Sequence, residues 1–384
     1  MQSINMSWIT REEALARLGT KPQTLYANVS RGRIRAKPDP ADPRCSLYHA
    51  SDVRRLAERH SGRRQSSAVA AQAIGWGDPV LPTTISTISN GKLYYRGRDA
   101  VELSAGATLE EVAALLWGTD HGPVAEAAVQ QGGLSRIAGA FACLAARVPT
   151  DLPALGRNLS VLRLEAADVL MTVASALAPW AGDPAPLHQR LALGWQRPDA
   201  AEPIRRSLVL AAEHELNVSA FAARVTASSG ASLSAATLSG LATLTGPRHG
   251  GAWVSVARLA EQAASSSVRD AIRGALASED VVRAFGHRLY PQGDPRAAAI
   301  MQSFEAPAVY GSLAEAGEEL LGEPPNIDFA ISALASAFDL PEEAPLVIFA
   351  LARTTGWLAH AMEQIESGQM IRPRARYSET SKNL

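Results

Sequence analysis

In its C-terminal half the chain contains Gly246-Pro247-Arg248-His249-Gly250-Gly251-Ala252, and this stretch carries the strongest clue to the fold. A Gly-Pro break precedes His249, two glycines follow it, and the pattern predicts a helix over 252–263. The glycines allow the backbone to approach a bound molecule closely. A helix N-terminus disfavours the charged imidazolium, so we expect His249 to be a neutral hydrogen-bond donor. The alternative is a buried histidine whose ring bonds to a backbone carbonyl.

Further motifs follow in one order. They are Gly286-His287-Arg288-Leu289-Tyr290 with Asp294-Pro295-Arg296-Ala297, then Asn326-Ile327-Asp328-Phe329, then Arg353-Thr354-Thr355-Gly356-Trp357-Leu358-Ala359-His360, and finally Arg372-Pro373-Arg374. Each motif alone is a weak signal, but their combination is specific. In this order they resemble the citrate synthase family, over roughly residues 80 to 377.

The resemblance implies a mainly α, citrate-synthase-like two-domain helical fold with a large and a small domain, preceded by a small winged helix-turn-helix domain. The expected boundaries are 1–60 for the helix-turn-helix domain, 61–72 for the linker and 73–384 for the synthase-like body. Within the body, the small subdomain is expected at roughly 212–315. Residues 120–200 match the family poorly.

The resemblance also implies a reaction, the condensation of acetyl-CoA with oxaloacetate. Such chemistry needs a base for a weak carbon acid, a donor at the thioester oxygen and a second donor at the ketone. By their motifs, Asp328 matches the base, His249 the thioester donor and His287 the ketone donor. The alternative for Asp328 is a helix N-cap, worth about 1 kcal/mol.

Arginines suit the two carboxylates of oxaloacetate because the planar guanidinium binds a carboxylate through two hydrogen bonds. The resemblance assigns substrate binding to His214, Arg296, Arg353 and Arg372. In the family the last of these reaches into the neighbouring subunit's site, which implies a homodimer or a higher homo-oligomer. Phe285 and Gly286 match part of a loop that contacts CoA. Singly, each arginine is more often a surface charge.

The chain departs from the family pattern at three positions. Trp253 stands where the family has an asparagine after His-Gly-Gly-Ala, and Glu213 stands where an aspartate usually precedes the first histidine. Pro291 replaces a frequent lysine. The three residues matched to catalysis are nevertheless all present.

Secondary structure in the body is predicted to begin with a hairpin and to continue as helices. Asn90-Gly91 between the β-rich stretches 83–89 and 92–96 is a strong two-residue turn signal. Helical periodicity dominates afterwards and predicts amphipathic helices over 101–117 and 207–225.

The N-terminal segment is predicted to form a helix-turn-helix. Thr10 with Glu13 fits a capping box, Gly19 ends the first helix, and a second helix follows over about 22–29. The stretches 33–35 and 46–48 are predicted to form a wing, and Ser51 to cap a third helix through His60. The whole resembles the DNA-binding domain of MerR-like regulators. The candidate DNA-contacting residues are Gln23, Thr24, Tyr26, Arg31 and Arg33.

Charge supports this interpretation of the N-terminal segment. Residues 1–65 hold thirteen Lys and Arg against six Asp and Glu, a local charge of +7, whereas the 384-residue chain has −1. The alternative is a compact helical module for protein contact with a solvated basic rim.

The remaining composition excludes several classes. Two cysteines, Cys45 and Cys143, cannot form a disulfide framework. Residues 1–10 lack a secretory pattern, and the apolar stretch 346–362 contains Arg353 and His360, so a cytoplasmic protein without membrane contact is expected. No cysteine–histidine spacing fits a metal, and no glycine-rich loop fits a nucleotide. No cofactor is therefore expected, with acetyl-CoA as a substrate.

Two further hypotheses stay open. One is a 2-methylcitrate synthase using propionyl-CoA, since one methylene is worth only about 1 to 3 kcal/mol of discrimination. The other is a DNA-binding transcriptional regulator whose synthase-like body senses oxaloacetate, citrate or CoA esters. A dimeric body presenting two basic modules suits a palindromic site.

Overall fold

The computed structural model describes residues 8–30, 33–39, 42, 45–54, 56, 81–123, 135–180, 182–277 and 284–373. The chain forms two compact units, residues 1–82 and 83–384. Arg31, one candidate DNA contact, and the predicted linker 61–72 lie outside the described residues.

The N-terminal unit combines two helices with a small antiparallel sheet. Its elements are β1 (Trp8–Ile9), α1 (Arg11–Leu18), α2 (Pro22–Ser30), β2 (Ala36–Pro38) and β3 (Ser46–His49). The sheet has the order β1-β3-β2. Residues 50–54 and 56 are also helical. A small core fills the space between these elements, with Leu25 and Val53 fully buried.

Several N-terminal predictions are confirmed and two are corrected. Thr10 and Glu13 form the capping box, and Gly19 ends α1 in the left-handed conformation. The first wing strand is not at 33–35 but three residues later; Ile34, which precedes it, is buried in the core. The third helix begins at residue 50, so Ser51 lies inside it rather than capping it. The third strand, β1, was not predicted.

The body begins with the predicted hairpin. Strands β4 (Ser86–Ser89) and β5 (Lys92–Tyr95) pair in antiparallel register, and β6 (Arg98–Asp99) adds to β5. Asn90 and Gly91 both have positive φ angles, as a two-residue turn of this kind requires. The turn prediction is confirmed.

The rest of the described body is helical. The first helices are α3 (Ala100–Ser104), α4 (Leu109–Trp117), α5 (Arg136–Arg147), α6 (Leu159–Leu177), α7 (Leu187–Gly194), α8 (Ala201–Ala211), α9 (Val218–Ser228) and α10 (Leu233–Leu244). They are followed by α11 (Trp253–Ser265), α12 (Val268–Ala277), α13 (Pro295–Met301), α14 (Ala308–Leu321), α15 (Ile327–Ala337) and α16 (Ala344–Ser367).

Both amphipathic helices predicted by periodicity are in fact interrupted. The stretch 101–117 contains the end of α3 and then α4, because Thr108 and Glu111 form a second capping box that starts a new helix. The stretch 207–225 is divided between α8 and α9. Residues 212–217 separate them, and Asn217 caps α9 through its side chain.

Two hydrophobic cores organise the body. In the larger one, α16 is surrounded by α4, α6, α8, α9 and α10, and its Trp357 is fully buried. A second core joins α11, α12, α14 and α15 and contains Ile272 and Phe329. This second core draws on residues 256–333. The small subdomain expected at roughly 212–315 stays a prediction.

In the described residues, none of the helices combines the length and the apolar character needed to cross a bilayer.

Candidate active site

Three aromatic side chains from two loops contact one another, and one of them contacts an arginine. The rings of His214 and His287 have centroids 5.1 Å apart, and the Tyr290 ring lies 5.0 Å from His287. The Tyr290 hydroxyl bonds to His214 Nε2 at 3.0 Å. The Arg296 guanidinium carbon lies 5.1 Å from the Tyr290 ring centroid. The sequence-predicted residues His214, His287 and Arg296 are therefore brought together.

Arg296 is held by a buried carboxylate that the sequence analysis missed. Asp294 accepts from Arg296 Nε at 2.9 Å and from Nη2 at 2.8 Å, and both side chains are almost completely buried. Burial alone would raise the pKa of Asp294, but the Arg296 charge and its hydrogen bonds lower that pKa overall. Asp294 also accepts from the Ile327 amide at 3.2 Å, which fixes the start of α15 to Arg296.

Asp328 lies in the first turn of α15. The N-cap is Asn326, whose side-chain oxygen accepts from the amides of Asp328 and Phe329, so the alternative of Asp328 as N-cap is wrong. The Asp328 side chain is half-buried. The N-terminal end of a helix favours a negative charge, which suits a carboxylate that has to be ionised.

His249 lies between α10 and α11 and is fixed by a serine. Its Nε2 lies 2.8 Å from the Ser219 hydroxyl, which also accepts from the Trp357 indole at 3.0 Å. Burial, reinforced by the nearby Arg353 charge, lowers the pKa of His249 to about 4. Ser219 and Trp357 were not singled out from the sequence.

Neutral imidazoles are a common property of this cluster. Burial and then the Arg296 charge lower the pKa of His287 to about 4. Burial, followed by Arg296 and His287, holds the pKa of His214 well below its ordinary value. At neutral pH these rings are uncharged and can each donate one N–H.

Arg353 connects the two parts of the site. It lies on α16, is almost completely buried, and donates from Nε to the Ala211 carbonyl at 2.8 Å. Burial lowers the pKa of Arg353, opposed by attraction to Glu213 and, more weakly, to Asp328. The same guanidinium lowers the pKa of His249 and of His214. Arg353 is therefore close to His249, to His214 and to Asp328.

The structure does not bring the remaining predicted residues into this cluster. Arg372 is exposed near the end of the described chain. The Phe285 side chain lies in the second core, with its ring 5.6 Å from that of Phe329, so it belongs to the packing. Gly286 has φ +71° and a half-buried backbone. The candidate DNA contacts belong to the N-terminal unit.

Among the described residues, no group of three or more His, Cys, Asp or Glu side chains could hold a metal ion.

Residues 134–374 match the model of the citrate synthase C-terminal domain. The chain belongs to the citrate synthase family. This agrees with the expectation of a citrate-synthase-type enzyme. The match does not extend to the N-terminal unit, whose resemblance to MerR-like regulators stays a prediction.

The chain is similar both to proteins named citrate synthase and to proteins named 2-methylcitrate synthase. A citrate synthase of Haloferax volcanii is 37% identical over 190 residues, 46% of this chain and 50% of that protein, so the chain spans only half the length of this relative. A citrate synthase of Mycolicibacterium smegmatis is 29% identical over 77% of this chain and 92% of its own length. A 2-methylcitrate synthase of Shewanella oneidensis is 30% identical over 77% and 91%.

Solved structures share the fold. Citrate synthase of Pyrobaculum aerophilum superposes with a TM-score of 0.66 at 24% identity, over 80% of this chain and 92% of that one. Citrate synthase of Thermotoga maritima gives 0.62 at 22%, over 81% and 96%. The mainly helical synthase fold expected from the sequence is confirmed.

Proposed function

We propose that the protein condenses an acyl-CoA with oxaloacetate in the manner of citrate synthases, releasing CoA. The observation that carries this proposal is one cluster of three neutral histidines, two buried arginines and a half-buried carboxylate. Every group that the condensation needs has a counterpart there.

Asp328 is the base. Its carboxylate takes a proton from the carbon next to the thioester carbonyl, and the electron pair left behind becomes the enolate of that thioester. The enolate carbon then attacks the oxaloacetate ketone, and hydrolysis of the product thioester releases CoA and the free acid. Asp328 lies in the first turn of a helix, where the helix dipole favours the negative charge that a base needs.

His249 stabilises the thioester oxygen. For Nδ1–H to donate there, Nε2 has to accept, so the Ser219 hydroxyl must donate to Nε2. That hydroxyl also lies 2.8 Å from the Asn217 side-chain oxygen, and its single proton serves one of the two at a time. The reactive arrangement is the one with the proton directed to His249.

His287 polarises the ketone. Its Nδ1 accepts from the Leu289 amide at 3.2 Å, so the ring proton is on Nε2 and is available to the ketone oxygen. Arg296 and Arg353 bind the two carboxylates of oxaloacetate, assisted by His214. Arg372 is expected to act in the site of a neighbouring copy, which makes a homodimer or higher homo-oligomer part of this proposal. No cofactor takes part, because the CoA thioester is itself a substrate.

The acyl group is acetyl in our proposal, with propionyl as the alternative. Relatives of both kinds align over similar lengths at similar identities, so resemblance does not separate them. Nor does the geometry, since the difference is a single methylene.

CoA thiol release with oxaloacetate, measured separately with acetyl-CoA and propionyl-CoA, tests the proposal. We expect turnover that Asp328→Ala lowers at least about 10³-fold while oxaloacetate binding persists. Asp120→Ala, at an exposed position, is the matched control and keeps activity. A folded wild-type protein without turnover on either thioester contradicts the proposal. Strong preference for propionyl-CoA instead identifies a 2-methylcitrate synthase.

A second candidate function, DNA binding, is favoured by the N-terminal unit. Gln23, Thr24 and Tyr26 are exposed along α2, and Arg33 is exposed beyond it. An antiparallel sheet stands where the wing was expected, and the segment carries an excess of positive charge. This arrangement supports a second helix that enters the major groove.

Selection of genomic fragments at moderate salt, with and without oxaloacetate, citrate and CoA esters, tests the regulator hypothesis. We expect one enriched sequence whose binding falls steeply with salt and is weakened by Arg33→Ala. Exposed Arg269→Ala in the body is the control and leaves binding unchanged. Enrichment of no sequence contradicts the hypothesis.

A further inference from the structure

A buried carboxylate directly precedes His214 and has no role in the mechanism above. The Glu213 side chain is fully buried, and its Oε1 accepts from the Ser86 hydroxyl at 3.1 Å and from His360 Nε2 at 3.0 Å. Within the described part of the chain, Oε2 has no hydrogen-bond partner. A buried charge left in this way is costly unless nearby charges compensate it.

Arg353 carries a positive charge near Glu213. Glu213 is the strongest of the groups that raise the pKa of Arg353 against the larger effect of burial. Helix α16, which carries Arg353, has a glycine where Glu213 approaches it. Gly356 follows Arg353 by one turn of α16, and a Cβ there would overlap Glu213 Oε2 and lie 2.6 Å from the Ala212 carbonyl.

The imidazole of His360, which donates to Glu213, has a fixed orientation. Arg224 donates from Nη1 to His360 Nδ1 at 3.3 Å and forms an ion pair with Glu363 at 2.8 Å. A guanidinium only donates, so Nδ1 accepts and the imidazole proton lies on Nε2, facing Glu213. The Glu213 carboxylate therefore accepts from an imidazole whose orientation is fixed by Arg224.

Glu213 is also linked to the backbone that carries His214. Glu215, on the other side of that histidine, has φ +50°, an unfavourable conformation for a residue with a side chain. It is kept there by β4: the Ser86 hydroxyl accepts from the Glu215 amide at 3.1 Å, and the Ile88 amide donates to the Glu215 carboxylate at 2.6 Å. Ser86 thus bridges the residues on both sides of His214.

We propose that Glu213 is a positioning residue for oxaloacetate binding. Its negative charge attracts the Arg353 guanidinium, and its bond to Ser86 helps to keep His214 in place. Glu213 itself touches no substrate. The inference rests on the proposed function, since it assumes that Arg353 and His214 bind oxaloacetate.

Oxaloacetate affinity by calorimetry, together with steady-state kinetics, tests the inference. Glu213→Gln preserves size and an accepting oxygen but removes the charge. We expect it to raise the oxaloacetate Kd and KM at least about ten-fold, while kcat and the KM for the CoA thioester change less than about three-fold. Glu213→Asp restores the charge and should recover part of the affinity. Ser86→Ala, which leaves the carboxylate intact, should raise the oxaloacetate Kd about three-fold.

Glu110→Gln is the matched control, because Glu110 also has one oxygen bonded, to the Leu187 amide at 2.7 Å, and one buried oxygen without a partner among the described residues. It should leave oxaloacetate affinity unchanged. Wild-type or tighter binding by Glu213→Gln overturns the inference, as does an equal loss in Glu110→Gln. Should Glu213→Gln not fold, unchanged affinity in Ser86→Ala overturns it. Wild-type protein that binds no oxaloacetate contradicts the proposed function instead.

Discussion

Oxaloacetate affinity should depend on single residues of the histidine–arginine cluster. Because His287 has its proton on Nε2 and lies against Tyr290, His287→Ala removes a directed donor without disturbing a buried ion pair. We expect the calorimetric Kd for oxaloacetate to rise about ten- to one-hundred-fold. His121→Ala, at an exposed histidine, is the control. Unchanged affinity in His287→Ala contradicts its placement at the ketone.

Arg296→Ala should have two consequences. It removes a carboxylate-binding cation and also leaves Asp294 buried without its partner. We therefore expect oxaloacetate binding to weaken by at least about one hundred-fold and the protein to lose about 3 to 5 kcal/mol of stability. Calorimetry and urea unfolding measure these separately. Loss of stability with normal affinity indicates that Arg296 has only a structural role.

The stability of the protein at acidic pH should depend on His188, a buried histidine outside the site. Burial, followed by the Arg205 charge, lowers the pKa of His188 to about 4. In the unfolded chain the ring takes up a proton near pH 6.5. As the pH falls from 7 to 5, the unfolded state gains a proton that the folded state does not, so stability is lost. His188→Gln should reduce this loss by up to about 2 kcal/mol in urea unfolding at the two pH values. An identical pH dependence contradicts the prediction.

For single residues, the sequence allowed a role to be predicted where a recognisable motif contains the residue itself. Roles were predicted for His249, His287 and Asp328 because their short motifs resemble those of the citrate synthase family. The contacts of Asp294, Ser219 and Glu213 with the site were not predicted, because each depends on side-chain geometry that only folding creates. Ser219, for instance, meets His249 thirty residues away in sequence.

At the scale of elements, hydrophobic periodicity predicted helices but not their interruptions. The capping box at Thr108 and Glu111 is visible in the sequence and could have divided the stretch 101–117. The break before α9 was harder to find. It depends on Glu215, whose positive φ is maintained by hydrogen bonds to β4 more than one hundred residues away.

Helix α16 provides an element-scale prediction about close packing. Gly356→Ala introduces a Cβ that overlaps Glu213 and approaches the Ala212 carbonyl, so the loop that carries His214 has to move. We expect a loss of about 1 to 3 kcal/mol in stability, together with weaker oxaloacetate binding. Gly311→Ala in α14 is the control, because no atom lies within 4 Å of its Cβ, and it should gain up to about 1 kcal/mol. Equal effects of the two substitutions contradict the close-packing argument.

For the whole molecule, an exposed apolar surface supports self-association. Val148, Leu152, Leu155, Val161 and Leu164 are all exposed around the connection between α5 and α6, with Leu164 reaching 75%. Several large apolar side chains exposed on one segment mark a candidate interface. Leu155 also packs on Gly230, which follows α9, so the end of that helix belongs to the same surface. We predict that this surface is buried in the homodimer of the proposed function.

Mixing subunits of two inactive variants should show whether Arg372 acts in the site of the partner subunit. The Ile371 amide bonds to the Ser228 hydroxyl, which holds Arg372 at the end of α9, where it is exposed. If Arg372 serves the partner's site, Asp328→Ala and Arg372→Ala damage sites on different subunits. A hybrid dimer then has one site with both defects and one intact site. Refolding the two inactive variants together in equal amounts should restore about one quarter of the wild-type CoA release. Half of the dimers are then hybrids, and each hybrid has one intact site of two.

Mixing Asp328→Ala with Arg353→Ala is the control and should restore nothing, since both residues belong to one subunit's site. Absence of recovery in the first mixture, with hybrids demonstrated by differently tagged subunits, places Arg372 in its own subunit's site or outside the reaction.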